Sequence, residues 1–126
     1  MSEDGWSDET THVSEIRDRL ARFNKARDWE QFHQPRDLAM CLACEAGELL
    51  EAFLWKGDDG DVDLEKVQEE IADILICTVN LAQRLGIDLA AATDQKIRRN
   101  EEKYPVELAR GNATKHDQLR RAKPDK

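Results

Sequence analysis

An all-α fold is what the sequence predicts, and three observations predict it. Apolar residues recur at three- and four-residue steps in four separate stretches. Glycine and proline are scarce, 6 and 3 in 126 residues, and most of them fall between those stretches. The residues that flank each stretch suit the end of a helix.

The first stretch runs from about Val13 to Lys25, with Val13, Ile16, Leu20 and Phe23 on one face and Thr10 and Thr11 available for capping. Arg27 to Gln34 is aromatic but aperiodic and is expected to be a structured loop before Pro35, a favoured first residue of a helix. The second stretch, Pro35 to about Lys56, closes at Gly57. Leu38, Leu42, Leu49 and Phe53 share one side of it while Ala39, Ala43, Leu50 and Leu54 cover much of the other, which predicts a central helix. A polar loop, Asp58 to Asp63, leads to the third stretch, Leu64 to about Leu85. Asp63 can cap its start and Gly86 can end it. Asp88 can cap the fourth, Leu89 to about Lys103, which Tyr104 and Pro105 terminate. Residues 1–10 and 110–126 are polar or charged with almost no apolar period, so they are expected to form a disordered leader and a flexible charged tail around one domain, residues 11–109.

Composition narrows the function. The 27 acidic against 19 basic residues leave a formal charge of -8, which argues against a binder of nucleic-acid polymers or anionic membranes. No run of 18 apolar residues exists and no secretory signal is visible, so a soluble cytoplasmic protein is expected. A 14.5 kDa chain buries only about two-thirds of its unfolded surface, which makes burial against a partner chain plausible. The three cysteines, Cys41, Cys44 and Cys77, are an odd number. Cys41 and Cys44 have CxxC spacing, but neither the strand–helix context of a redox pair nor a second pair for zinc is present, so they are expected to be small core residues.

Two pairs of carboxylates carry the chemistry. Glu45 and Glu48 in the second stretch, and Glu70 and Asp73 in the third, are i, i+3 pairs that share a helix face. At about 100° per residue, Glu45 and Glu70 fall inside the apolar stripes of their helices. Glu48 and Asp73 fall at the edges. Packing those stripes together would collect four carboxylates in a partly dry place, where like charges repel and burial costs several kcal/mol or shifts a pKa. Two arrangements relieve this. Basic partners such as Arg84, Lys96 and Arg98 would make an ion-pair network; a hard divalent cation would be held by the oxygens and keep waters for a phosphate. The two Glu-x-x-His spacings, Glu9 to His12 and Glu30 to His33, fall in the polar leader and the aperiodic loop and not inside the four helical stretches, so a bundle di-iron site is disfavoured and all-carboxylate ligation points to Mg²⁺ or Mn²⁺.

Lys96, Asn100 and Lys103 form a stripe on the fourth helix that suits phosphate oxygens or a solvated face equally well. Trp29, Phe32, His33 and Trp55 flank the acidic segments, and an indole beside a metal–phosphate site could stack on a base; packing beneath a loop is the alternative.

The ordered set Glu45-x-x-Glu48, a gap of 21 residues, Glu70-x-x-Asp73, then Lys96-x-x-x-Asn100 and Lys103-Tyr104-Pro105 resembles the all-α nucleoside triphosphate pyrophosphohydrolase superfamily, the MazG-like group. The run from Arg27 through Trp29, Glu30, Gln31, Phe32 and His33 to Arg36, together with Phe53 to Lys56, resembles its dCTP pyrophosphatase branch. The resemblance spans roughly Val13 to Ala109. It implies a four-helix-bundle-like fold assembled as a dimer of dimers, a homotetramer with sites built between subunits. It implies Glu45, Glu48, Glu70 and Asp73 as Mg²⁺ ligands and Glu45 or Glu48 as proton acceptor. Trp29 to His33 and Trp55 would form the nucleoside pocket, and Lys96 and Asn100 would reach the phosphates or sugar. Two positions depart from the branch: Leu20 stands where it has a substrate-contacting histidine, and Cys77 where it has a tyrosine. A pocket with those polar groups removed is expected to differ in base or sugar selectivity.

The expected function is hydrolysis of dCTP or a 5-modified dCTP to the monophosphate and pyrophosphate, clearing the nucleotide pool. The same chemistry on dUTP or another non-canonical dNTP, and a non-catalytic helical interaction module, are the alternatives.

Overall fold

The computed structural model describes residues 5–57 and 60–121. Asp58, Asp59, Pro124 and the first residues of the expected leader lie outside them. The described residues contain helices and turns and no strand, and they fall into two compact units that divide between Leu89 and Ala90.

The first unit holds helix α1, Val13–Ala26, helix α2, Pro35–Glu51, and helix α3, Leu64–Leu85. Both α1 and α2 pack on α3. Leu38 of α2 and Val79 and Ala82 of α3 are its buried apolar residues. The central helix is therefore α3 and not α2, whose expected all-round burial is absent: Met40, Leu50, Phe53 and Leu54 are exposed in the single chain.

Local chemistry explains the helix ends. Helix α1 is capped by His12, whose backbone N–H donates to Glu15 Oε2 at 2.7 Å. Thr10 and Thr11 bond back to Ser7 instead, forming a turn inside the stretch expected to lack order. Helix α3 begins where Asp63 Oδ1 accepts from the Lys66 N–H at 3.2 Å and stops at Gly86, whose φ of 68° needs no Cβ. Helix α2 ends at Glu51, short of Lys56. Beyond it the chain tightens into successive i→i+3 bonds, and Trp55 at φ 62°, not Gly57, takes the left-handed position. Between α1 and α2, the Trp29 N–H donates to the Asn24 carbonyl at 3.0 Å and a 3₁₀ turn covers Glu30–Phe32.

Helix α4, Leu89–Lys103, opens at the division between the units and has the bounds its periodicity predicts. The second unit continues with short helices α5, Val106–Ala109, and α6, His116–Arg121. The tail thus carries structure its composition does not predict: Leu119 is buried, and the Tyr104 and His116 rings meet edge to face at 5.9 Å. No single helix among the described residues is long and apolar enough to cross a membrane.

Candidate active site

Helix α2 carries Glu45 and Glu48, and α3, against which it packs, carries Glu70 and Asp73. Each pair lies one turn apart, so packing of the two helices turns two sequence pairs into one cluster. Glu45, Glu70 and Asp73 each offer a carboxylate oxygen within 4.8 Å of the others. Glu48 is more exposed, and it acts on the ionisation of both Glu45 and Glu70. Glu70 is only 3% exposed.

The cluster is only partly neutralised. Lys66 Nζ meets Glu70 Oε1 at 2.6 Å, an i, i+4 pair along α3. That base was legible in the spacing, yet the expected partners were Arg84, Lys96 and Arg98. Arg98 pairs instead with Asp94 within α4 at 3.1 Å, Lys96 belongs to the second unit, and Arg84 lines a cavity. The Lys66 ammonium holds Glu70 below the usual carboxylate range against the opposing effect of burial. Glu45 is pushed up to about 7, first by its bond with Glu48, then by burial, by Glu70 and by the charges of Glu48 and Asp73.

Two oxygens remain without partners. Glu45 Oε2 and Glu70 Oε2 are buried and have no hydrogen-bond donor among the described residues. An unpaired buried carboxylate oxygen is costly. Three carboxylates converging on a space with two orphaned oxygens match the donor set of a hard divalent cation, Mg²⁺ or Mn²⁺. Cys77, half-buried, faces the same environment: burial first, then Cys41, Glu45 and Asp73, push its thiol up, which suits a packing role. Cys41 and Cys44 are exposed rather than core residues.

Beside α1 and α3 lie two cavities of about 370 and 300 Å³. The larger has mainly apolar walls from Ile16, Leu20 and Phe23 of α1, Ile76 of α3, and the indoles of Trp6 and Trp29. The smaller is polar, with Glu30, Gln83 and Arg84. Asn24, His33 and Asn80 line both.

The structure therefore gathers some of the expected substrate residues and leaves others apart. Trp29, Glu30 and His33 line cavities, and Leu20 forms wall where its position suggests. Gln31 turns back onto Asp28, donating to its carbonyl and carboxylate. Phe32 and Trp55 are 63% and 98% exposed in the single chain. Lys96 and Asn100 lie on α4 in the second unit. Trp6, Asn24, Asn80 and Lys66 were not expected at the site. Asn24 was within reach, because it stands four residues after Leu20 on the apolar face of α1. Trp6 carried no signal; Arg19 stacks over its ring at 4.6 Å.

An all-α body with a half-compensated carboxylate cluster on facing helices and an apolar, aromatic cavity beside them defines a class of helical protein whose acids have the donor set of a metal site. The chain belongs to the MazG-like family, whose model matches residues 41–119. It is 43% identical to the dCTP pyrophosphatase 1 of Mus musculus over 116 residues, covering 86% of this chain and 68% of that protein. It is likewise 43% identical to the dCTP pyrophosphatase 1 of Homo sapiens over 114 residues, 85% of this chain and 67% of that protein. The crystal structure of a pyrophosphatase from Archaeoglobus fulgidus superposes with a TM-score of 0.68 at 34% identity, covering 80% of this chain and 99% of that one.

Proposed function

We propose that this protein is a nucleoside triphosphate pyrophosphohydrolase that converts dCTP, or a 5-modified dCTP, to the monophosphate and pyrophosphate. The pair of buried, orphaned oxygens on Glu45 and Glu70 carries the reading, because it marks a place for a cation that binds phosphate. The 43% identity to dCTP pyrophosphatases across most of the chain points to the substrate.

In the proposed mechanism Glu45, Glu48, Glu70 and Asp73 hold Mg²⁺, with Mn²⁺ as a substitute. When bound, the cation supplies charge neutralisation at the phosphates and acidifies water. Water attacks the α-phosphorus, the bond from that phosphorus to the bridging oxygen breaks, and pyrophosphate leaves. Glu45 or Glu48 accepts the water's proton. Lys66 keeps Glu70 ionised and positioned. Trp29 and His33 contact the base in the apolar cavity, with Glu30, Gln31 and Phe32 forming the turn that carries them. The family resemblance alone assigns Lys96 and Asn100 of α4 to the phosphates or sugar. Leu20 in the cavity wall favours a cytosine carrying an apolar 5-substituent.

The catalytic body is residues 11–109. It works as a homo-oligomer, a dimer of dimers, in which a neighbouring subunit covers Trp55, Phe32 and the bare side of α2. Its place is the cytoplasm, where it clears the nucleotide pool.

A pyrophosphate-release assay across canonical and modified dNTPs, with and without Mg²⁺, tests this. Metal-dependent release is expected, fastest with dCTP or a 5-substituted dCTP. Preference for dUTP or a purine nucleotide would reject the substrate alone. No release from any nucleotide, with a melting temperature indifferent to Mg²⁺, would leave a non-catalytic helical module.

A further inference from the structure

Asn24, which is buried, and Asn80, which is half-buried, form an amide pair between α1 and α3. Asn24 is 6% exposed, and its Nδ2 donates to Asn80 Oδ1 at 3.1 Å. The Asn24 main-chain carbonyl also accepts the N–H groups of Arg27 and Trp29, at 3.2 and 3.0 Å. The Asn24 backbone is thus tied to the loop that carries Trp29, and its side-chain amide to Asn80.

One hydrogen bond does not satisfy two amides. Each carboxamide has an acceptor oxygen and a two-donor NH₂, so a pair joined by one bond presents an acceptor on one residue and a donor on the other. Turning both amides over exchanges the roles and leaves the same complement. Here the remaining groups are Asn24 Oδ1 and Asn80 Nδ2, which make no hydrogen bond to the described residues and are not sealed from the cavity that both side chains line. Both side chains line the cavity of about 370 Å³, whose other walls are mostly apolar. Small-molecule sites have this composition, with a few placed polar groups fixing the orientation of a ligand in an apolar cleft.

We propose that Asn24 and Asn80 together read the base of the substrate through its Watson–Crick edge. Asn24 Oδ1 accepts from an exocyclic amino group while Asn80 Nδ2 donates to the adjacent ring nitrogen, the arrangement offered by cytosine. The inference rests on the pyrophosphohydrolase reading above and adds the residues that give it base selectivity. An apolar cavity discriminates weakly between bases of similar shape, whereas one with amides left to satisfy rejects an analogue lacking the complementary group.

The test compares kcat/KM for dCTP with that for the deoxynucleoside triphosphate of 2-pyrimidinone, which keeps the ring nitrogen and lacks the amino group. The native protein is expected to prefer dCTP at least tenfold. In the double variant Asn24→Leu/Asn80→Leu, an apolar pair that leaves no buried amide unpaired, the preference is expected to fall below threefold. The single variant Asn80→Asp keeps an acceptor for Asn24 Nδ2 but loses the free donor. Its KM for dCTP is expected to rise about tenfold, with kcat nearly unchanged and cooperative melting retained. A purely structural pair would leave that KM alone, because the bond between the helices survives. Native discrimination below threefold, discrimination retained in the folded double variant, or an unaltered KM in Asn80→Asp would each overturn the inference while leaving the activity in place. Failure of the native protein to hydrolyse any triphosphate would overturn the underlying reading instead.

Discussion

At the scale of single residues, Glu45 and Glu70 show how neighbours divide the labour of like groups. Both are carboxylates on facing helices, yet Lys66 holds one ionised while Glu48, burial and the remaining acids bring the other to about 7. A cation competes with the proton on Glu45. Its affinity should therefore rise with pH, by up to about tenfold per unit below 7, and level off above. Mn²⁺ titrations between pH 5.5 and 8.5 check this, and Glu45→Gln should flatten the profile. The sign for stability is opposite. A carboxyl whose folded pKa lies above its usual 4.5 favours the metal-free fold below 4.5 and loses that contribution as pH rises through about 7. Metal-free melting temperatures should carry this declining component over that window, and Glu45→Gln should lack it. Replacing Glu48 or Asp73 with Ala should abolish pyrophosphate release, by about a hundredfold or more, with the helical circular dichroism unchanged. Asp73 is half-buried and Glu48 exposed, so neither anchors the core.

Among the helices, ends set by adjacent residues were the most legible part of the fold. Asp63 and Gly86 delimit α3 as expected, because a side-chain acceptor and a left-handed glycine act within one turn. Gly86→Ala puts a Cβ at φ 68° and should cost about 1 kcal/mol, seen as a melting temperature lower by a few degrees. The spacing of the acids was equally legible, since i, i+3 positions share a face whatever the helix packs against. The end of α2 was not. Its periodicity continues to Phe53 and Leu54, but the chain leaves the helix after Glu51 and turns at Trp55, a residue with no local preference for that conformation. Helix α6 escapes the periodicity for a related reason: Leu119, which is buried, is one apolar residue in a charged segment, too little for a period, and α6 packs against its neighbour α5.

Across the molecule, the bare apolar residues matter most. Met40, Leu50 and Leu54 of the α2 region and Ile71 and Leu75 of α3 are exposed, and Trp55 is almost fully so. Isolated exposed hydrophobes are ordinary, but a group of them on the two helices that carry the acids supports the proposed homo-oligomer, in which a second chain would cover them. Leu54→Glu should therefore shift the protein to smaller species in sedimentation velocity and reduce pyrophosphate release with them, while a monomeric protein would keep both. The sequence by itself determined the helical class, the limits of α3 and α4, the two acidic pairs and the family resemblance, all properties of residues within a few turns of one another. Only the tertiary structure decided that α3 is central, that Lys66 is the base in the cluster, that two carboxylate oxygens are buried without donors, and that Asn24 meets Asn80 across 56 positions of chain. Contacts of that kind depend on which helix faces pack, and hydrophobic period specifies a face without specifying its partner.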